Sequence, residues 1–133
     1  MSESNWLIAI WRYSDVASPQ RLERIQGQML REVSDIVHHM KDPRVQGVNI
    51  NEVVVSKDLS YATVYVSIIG EEDIQRSALT ALRRAAGHIR SQIARRIHLR
   101  YAPELRIEYD RTAERAARVL SLIDEMDAEK DER

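Results

Sequence analysis

Residues 61–69 read YATVYVSII. Ala62, Val64, Val66 and Ile68 alternate there with Tyr61, Thr63, Tyr65 and Ser67. That period of two predicts a strand with one face toward a core. Upstream, residues 47–56 (GVNINEVVVS) form a second β-rich run, and Lys57-Asp58-Leu59-Ser60 between them has the composition of a hairpin loop. The alternation slips near Asn51 and Glu52, which predicts a bulge. Downstream, Gly70 ends the hairpin, and Glu71, Glu72 and Asp73 load a helix start with the charge its dipole favours. A helical pattern then runs from about Ile74 to Leu99, and Pro103 precedes a third strand expected over residues 104–110, ELRIEYD. Strand, long helix, strand is a crossover, so the second and third strands can lie parallel if they are neighbours.

The flanks extend this unit. Ser18 and Pro19 suit the cap and first turn of a helix. Leu22, Ile25, Met29, Val33, Ile36, Val37 and Met40 follow at helical spacing, with Arg21, Arg24, Gln28 and Arg31 outside, and Asp42-Pro43 stops the run. A last helix is predicted from about Thr112, with Ala116, Val119, Leu120 and Ile123 on one side. The order α-β-β-α-β-α predicts an α+β domain, a three-stranded sheet covered by helices. The expected division is an extension over 1–17, a domain over 18–126, and a charged, frayed tail over 127–133.

With 133 residues the chain has room for one domain. Phe and Cys are both absent. The core must therefore be aliphatic, and disulfides, thiolate metal sites and thiol nucleophiles are excluded. No run of 18 apolar residues exists, and the patch from Leu7 to Trp11 lacks the basic flank and cleavage site of a signal peptide. A cytoplasmic protein with no membrane partner is expected. The net charge of −1 hides an asymmetry: residues 124–133 carry six acids and two bases, leaving 18 bases against 15 acids elsewhere. Residues 83–106 hold seven Arg and one acid, Glu104. Such a block suits a polyanion, though a solvated face has the same composition.

Chemistry concentrates in Ala81-LRRAAGHIRSQIARRIHL-Arg100. On a wheel of about 100° per residue, Leu82, Ala85, Ala86, Ile89, Ile93 and Ile97 share one side. Arg83, Gly87, Arg90 and Ala94 share another, beside Arg84, Ser91 and Arg95. Gly87 costs roughly 1 kcal/mol against Ala in a helix. Two readings account for it: a kink that divides the helix in two, or a close approach by another backbone. A kink would free amides next to Arg83, Arg84, His88 and Arg90, which makes a phosphate site. Arg outnumbers Lys 17 to 3, and guanidinium suits bidentate phosphate contacts and base stacking.

Taken in order, several segments resemble the bacterial ribosome-binding factor A family over about residues 19–123. They are the Arg21-Leu22 to Glu32 helix, Asp42-Pro43-Arg44, and residues 55–59 (VSKDL) with 62–67 (ATVYVS). Residues 85–90 (AAGHIR) and 99–105 (LRYAPEL), leading to Tyr109-Asp110, complete the set. The resemblance implies a type II KH-like fold. In place of a G-x-x-G loop it has an Ala-x-Gly kink, here Ala85-Ala86-Gly87, between two central helices. It also implies binding to the small (30S) ribosomal subunit and its 16S rRNA, late subunit maturation with rRNA 5′-end processing, and cold adaptation. No catalysis, cofactor or small-molecule substrate is implied, and a monomer is expected. The RNA-binding residues expected are Arg83, Arg84, Ala85, Ala86, Gly87, His88, Arg90 and Arg95. Residues 1–17 and the short acidic tail depart from the family pattern.

Other candidates are weaker. His38 and His39 are adjacent and diverge on a helix, and His88 and His98 fall on different sides of the wheel, so no metal set forms. Asp58 and Asp110 read as turn or cap residues. Tyr61 and Tyr65 face outward, where aromatics can stack bases but more often pack against a helix. No Ser-His-Asp spacing, P-loop or dinucleotide fingerprint is present. The alternative reading is a protein-interaction or self-association module gripping through Trp6 to Trp11.

Overall fold

The hairpin forms where the alternation places it. In this computed structural model, which describes residues 17–131, β1 (Val48–Val55) pairs antiparallel with β2 (Tyr61–Ile68). β3 (Glu104–Tyr109) lies parallel to β2 on its other side, giving the sheet order β1-β2-β3. Three helices, α1 (Pro19–His38), α2 (Glu72–Arg96) and α3 (Thr112–Asp131), and a 3₁₀ turn at Pro43–Val45 complete the described chain. Trp6 to Trp11 lie outside the described residues.

The inward side of β2 is Ala62, Val64, Val66 and Ile68, all buried. Val53 of β1 sits opposite Val64, and Ile107 of β3 flanks Val64 on the other side. The register shifts between Ile50 and Glu52, so the predicted bulge is real, and it brings Val53 and Val55 onto the buried face. Its extra residue, Asn51, is put to use. The Asn51 amide donates to Asp110 Oδ2 at 2.8 Å, and its oxygen accepts from Asn49 and Ser67.

α1 and α2 cover this face. α1 contributes Ile25, Met29, Val33, Ile36 and Val37; α2 contributes Ala78, Ala81, Leu82, Ile89 and Ile93. Each fully buried aliphatic side chain of Val, Leu, Ile or Met size contributes about 1.5–3 kcal/mol, so the core holds without a single Phe. Ser18 caps α1 by accepting the Arg21 amide at 3.2 Å, as its position predicts. Asp58 closes the hairpin turn by accepting the Ser60 amide and the Ser56 and Ser60 hydroxyls, with Leu59 at φ +62°. Asp110 accepts the Thr112 amide at the start of α3. Gly70, at φ +140°, turns the chain out of β2, and a Cβ there would lie 2.8 Å from Ile74 Cγ2.

Two expectations are corrected. α2 runs unbroken through Ala85-Ala86-Gly87, so the chain is not divided into two helices there. Ala85, Ala86 and Ile89 pack against the core in one continuous phase, and nothing lies within 4 Å of where a Gly87 Cβ would be, so no neighbour forces the backbone open. Amides in an uninterrupted helix are spent on the i→i−4 ladder. The chain beyond Met126 is also helical, as far as Asp131, where the charged composition predicts fraying.

Candidate nucleic-acid interface

α2 carries its cations in stripes with different fates. Arg83 donates through Nε and Nη2 to the Ile107 carbonyl at 3.1 and 3.0 Å, with Glu108 a further 3.7 Å ion pair. Arg90 makes the same fork to the Ala102 carbonyl, at 3.1 and 2.9 Å. β3 is an edge strand, so its outer carbonyls have no strand partner. Two guanidinium groups satisfy carbonyls along that border and blunt it against further pairing. The sequence pattern predicts both arginines free for phosphate; the structure shows both engaged.

One strip further round, Arg84, His88 and Arg95 are exposed. The Arg84 and Arg95 side chains make no hydrogen bond or ion pair among the described residues. His88 meets only Gln92, at 3.0 Å between Nε2 atoms. Gly87 is exposed between the two stripes, and Ala85 and Ala86 are half-buried supports of the helix. The expected residues therefore share one helix without forming one site.

A cationic opening lies alongside. A groove of about 380 Å³ runs between the outer face of α1 and the residues that leave α2. Arg21, Arg24, Gln28 and Arg31 form one wall; Ile97, His98 and Leu99 form the other. The three arginines are exposed and have no carboxylate partner among the described residues. Arg96, at the edge, is different: Nη1 reaches Glu32 at 3.0 Å and Asp35 at 2.6 Å, pinning α2 to α1. That contact holds the Asp35 carboxyl below its usual range and raises Arg96. It also neutralises Glu32, the one acid lining the groove, leaving the wall cationic.

The sequence pattern puts Arg21, Arg24, Gln28 and Arg31 on the outer face of the first helix but assigns them no role. Their spacing of three, four and three residues is the available signal. Other candidates resolve quietly. Among the described residues no group of His, Asp or Glu could hold a metal, no side-chain polar atom is buried without a partner, and no helix is long and apolar enough to cross a membrane. Arg106 lies over the Tyr61 ring at 4.0 Å, so that aromatic is covered by a cation of its own chain.

A three-stranded mixed sheet with two helices on one face defines a KH-like α+β domain. The chain belongs to the ribosome-binding factor A family: the family model described as "Ribosome-binding factor A" matches residues 21–123. It is 46% identical over 112 residues to ribosome-binding factor A of Acetivibrio thermocellus, covering 83% of this chain and 91% of that one. With that of Chromohalobacter salexigens it shares 44% over 109 residues, 80% of this chain and 83% of the relative. The crystal structure of ribosome-binding factor A from Thermus thermophilus superposes with a TM-score of 0.63 at 31% identity, covering 68% of this chain and 97% of that one. A homology model of the Thermus thermophilus factor, as fitted into the cryo-EM map of a 30S–RbfA complex, aligns with a TM-score of 0.55 at 33% identity, over 64% of this chain and 90% of that one.

Proposed function

We propose that this chain acts by binding, not catalysis, docking the cationic surface of its helical layer on the 16S rRNA backbone of the small ribosomal subunit. The observation that carries this reading is the groove wall of Arg21, Arg24 and Arg31, three guanidinium groups with no acid assigned to them among the described residues. Unspent positive charge on a rigid helix suits phosphates at fixed spacing, because each contact releases counterions. The Thermus relative, described in complex with the 30S subunit, supports the same partner here.

On α2, Arg84 and Arg95 extend the surface, with His88 beside them. Arg83 and Arg90 contribute by fixing β3 under the helix. Gly87 keeps the helix surface low between the two stripes, so a phosphate strand can pass without a side chain in its way. The process served is late subunit maturation with rRNA 5′-end processing in the cytoplasm, including growth at low temperature. No cofactor or small-molecule substrate takes part.

Co-sedimentation with purified small subunits tests the reading across a salt series. Binding weakens as salt rises, and Gly87→Asp, which sets a carboxylate beside the stripe, weakens it at every salt concentration while the domain stays folded. Affinity that ignores both salt and Gly87→Asp overturns the phosphate-docking reading.

A further inference from the structure

α3 stands apart from the rest of the molecule. Every residue from Arg111 to Lys130 is exposed, including Val119, Leu120, Leu122, Ile123 and Met126, which are 47–63% exposed. A lone helix of this length is marginal in water, and its stability ordinarily comes from a buried face. The face is there. Thr112, Ala116, Val119, Ile123, Met126 and Lys130 follow one another by alternating steps of four and three residues, the repeat of a coiled-coil seam.

Charge says what covers it. Arg111 just before α3 and Arg115 and Arg118 in its first half stand against Glu114; the second half carries Asp124, Glu125, Asp127, Glu129 and Asp131 against Lys130. We infer that α3 pairs antiparallel with α3 of a second copy of this chain. The seam repeat then stacks Ala116 on Met126 of the second copy and Val119 on Ile123 of the second copy, and the same in reverse. On one flank, that register sets Arg115 opposite Glu129 of the second copy at both ends, with Leu122 against Leu122 between them. On the other flank, Leu120 meets Leu120. The two helix dipoles oppose one another. A parallel pair instead sets Arg115 against Leu120 and Leu122 against Asp127, leaving apolar side chains facing charges. Only the antiparallel register sets opposite charges against each other on the Arg115–Glu129 flank and apolar groups against each other at its centre; on the other flank Ala113 faces Asp127 of the second copy. This pairing sets aside the monomer expected from the sequence, and it stands independently of the RNA-docking reading.

The full chain should sediment as a monomer–dimer equilibrium with dissociation in the range of roughly tens of micromolar, as suits a short seam. Arg115→Glu places like charges opposite each other and weakens the dimer roughly tenfold. Adding Glu129→Arg restores it. The chain has no cysteine, so Leu122→Cys is a unique reporter: a short bismaleimide should link two copies through it, while Ser121→Cys, on the far side of the helix, stays unlinked. A monomer at the highest soluble concentration overturns the inference. So does failure of the double swap to restore association, or equal crosslinking at Leu122→Cys and Ser121→Cys.

Discussion

Arg83 and Arg24 are both exposed arginines on helices of one layer, yet they have opposite standing. Arg83 is tied to the Ile107 carbonyl through two nitrogens, and Arg90, two turns on, is tied to the Ala102 carbonyl in the same way. Arg24, with Arg21 and Arg31, lines an open groove and is tied to no side chain among the described residues. A count of arginines therefore misjudges where a polyanion can settle. What matters is the charge left after the fold has satisfied its own carbonyls and carboxylates.

The largest expected effect separates the two groups outright. Replacing Arg21, Arg24 and Arg31 together by Ala takes three guanidinium groups away from the phosphates, and affinity for small subunits should fall roughly a hundredfold at moderate salt. The slope of log affinity against log salt should flatten by about 0.7–0.9 for each phosphate that is no longer neutralised. The urea midpoint should hardly move, because surface substitutions of this kind stay within about 0.5 kcal/mol. If affinity survives the triple change, the free group is not the docking group and the comparison breaks.

The tied pair should answer the other way. Arg83→Met with Arg90→Met leaves two edge carbonyls without their charged donors, and the domain should be destabilised by about 2 kcal/mol in a urea titration. Binding, measured well below the unfolding range, should fall much less than for the groove variant. A large fall in binding with unchanged stability would move Arg83 and Arg90 back among the phosphate ligands.

Much of this fold is legible in the sequence. Alternation at residues 61–69 and the slip at Asn51 and Glu52 set the hairpin and its bulge, because side-chain direction along a strand is local information. Ser18, Asp58 and Asp110 announce their turns for the same reason. The fate of Arg83 is not legible. Its partner is a carbonyl 24 residues away, on a strand whose edge position depends on the whole topology. Nor can the groove be read, since its second wall is the chain leaving α2 at residues 97–99. A mid-helix glycine marks a kink only if tertiary packing demands one, and the packing around Gly87 does not.

Two glycines repeat the tied-and-free contrast at smaller scale. Gly70→Ala meets both a φ of +140° and the Ile74 side chain, and should cost about 1–3 kcal/mol. Gly87→Ala enters open space on an unbroken helix and should raise stability by about 0.5–1 kcal/mol. A destabilised Gly87→Ala would show that the helix does open there in solution, and would revive the amide site that an unbroken α2 rules out.

The smallest effect concerns acids held by the fold. Hydrogen bonds from Ser60 and Ser56 draw the Asp58 carboxyl down to about 2, and the Arg96 contact lowers Asp35. A carboxylate whose folded-state value is depressed adds stability above its unfolded value, near 3.9, and that stability fades as pH falls toward the folded one. Stability should therefore decline from about pH 4 down to about pH 2, with Asp58 and Asp35 as contributors. Asp58→Asn should flatten part of that slope, and Asp35→Asn a separate part, because their partners are distinct. The acid limb also tests the main contrast: as Asp35 is protonated, Arg96 is released from a strong partner and moves toward the free group that lines the same groove. At pH 7 and low salt, Asp35→Asn should accordingly strengthen subunit binding slightly, by roughly twofold. A weaker complex would mean that the Arg96 clamp positions α1 for docking, and that charge in this groove counts only when its walls are held in place.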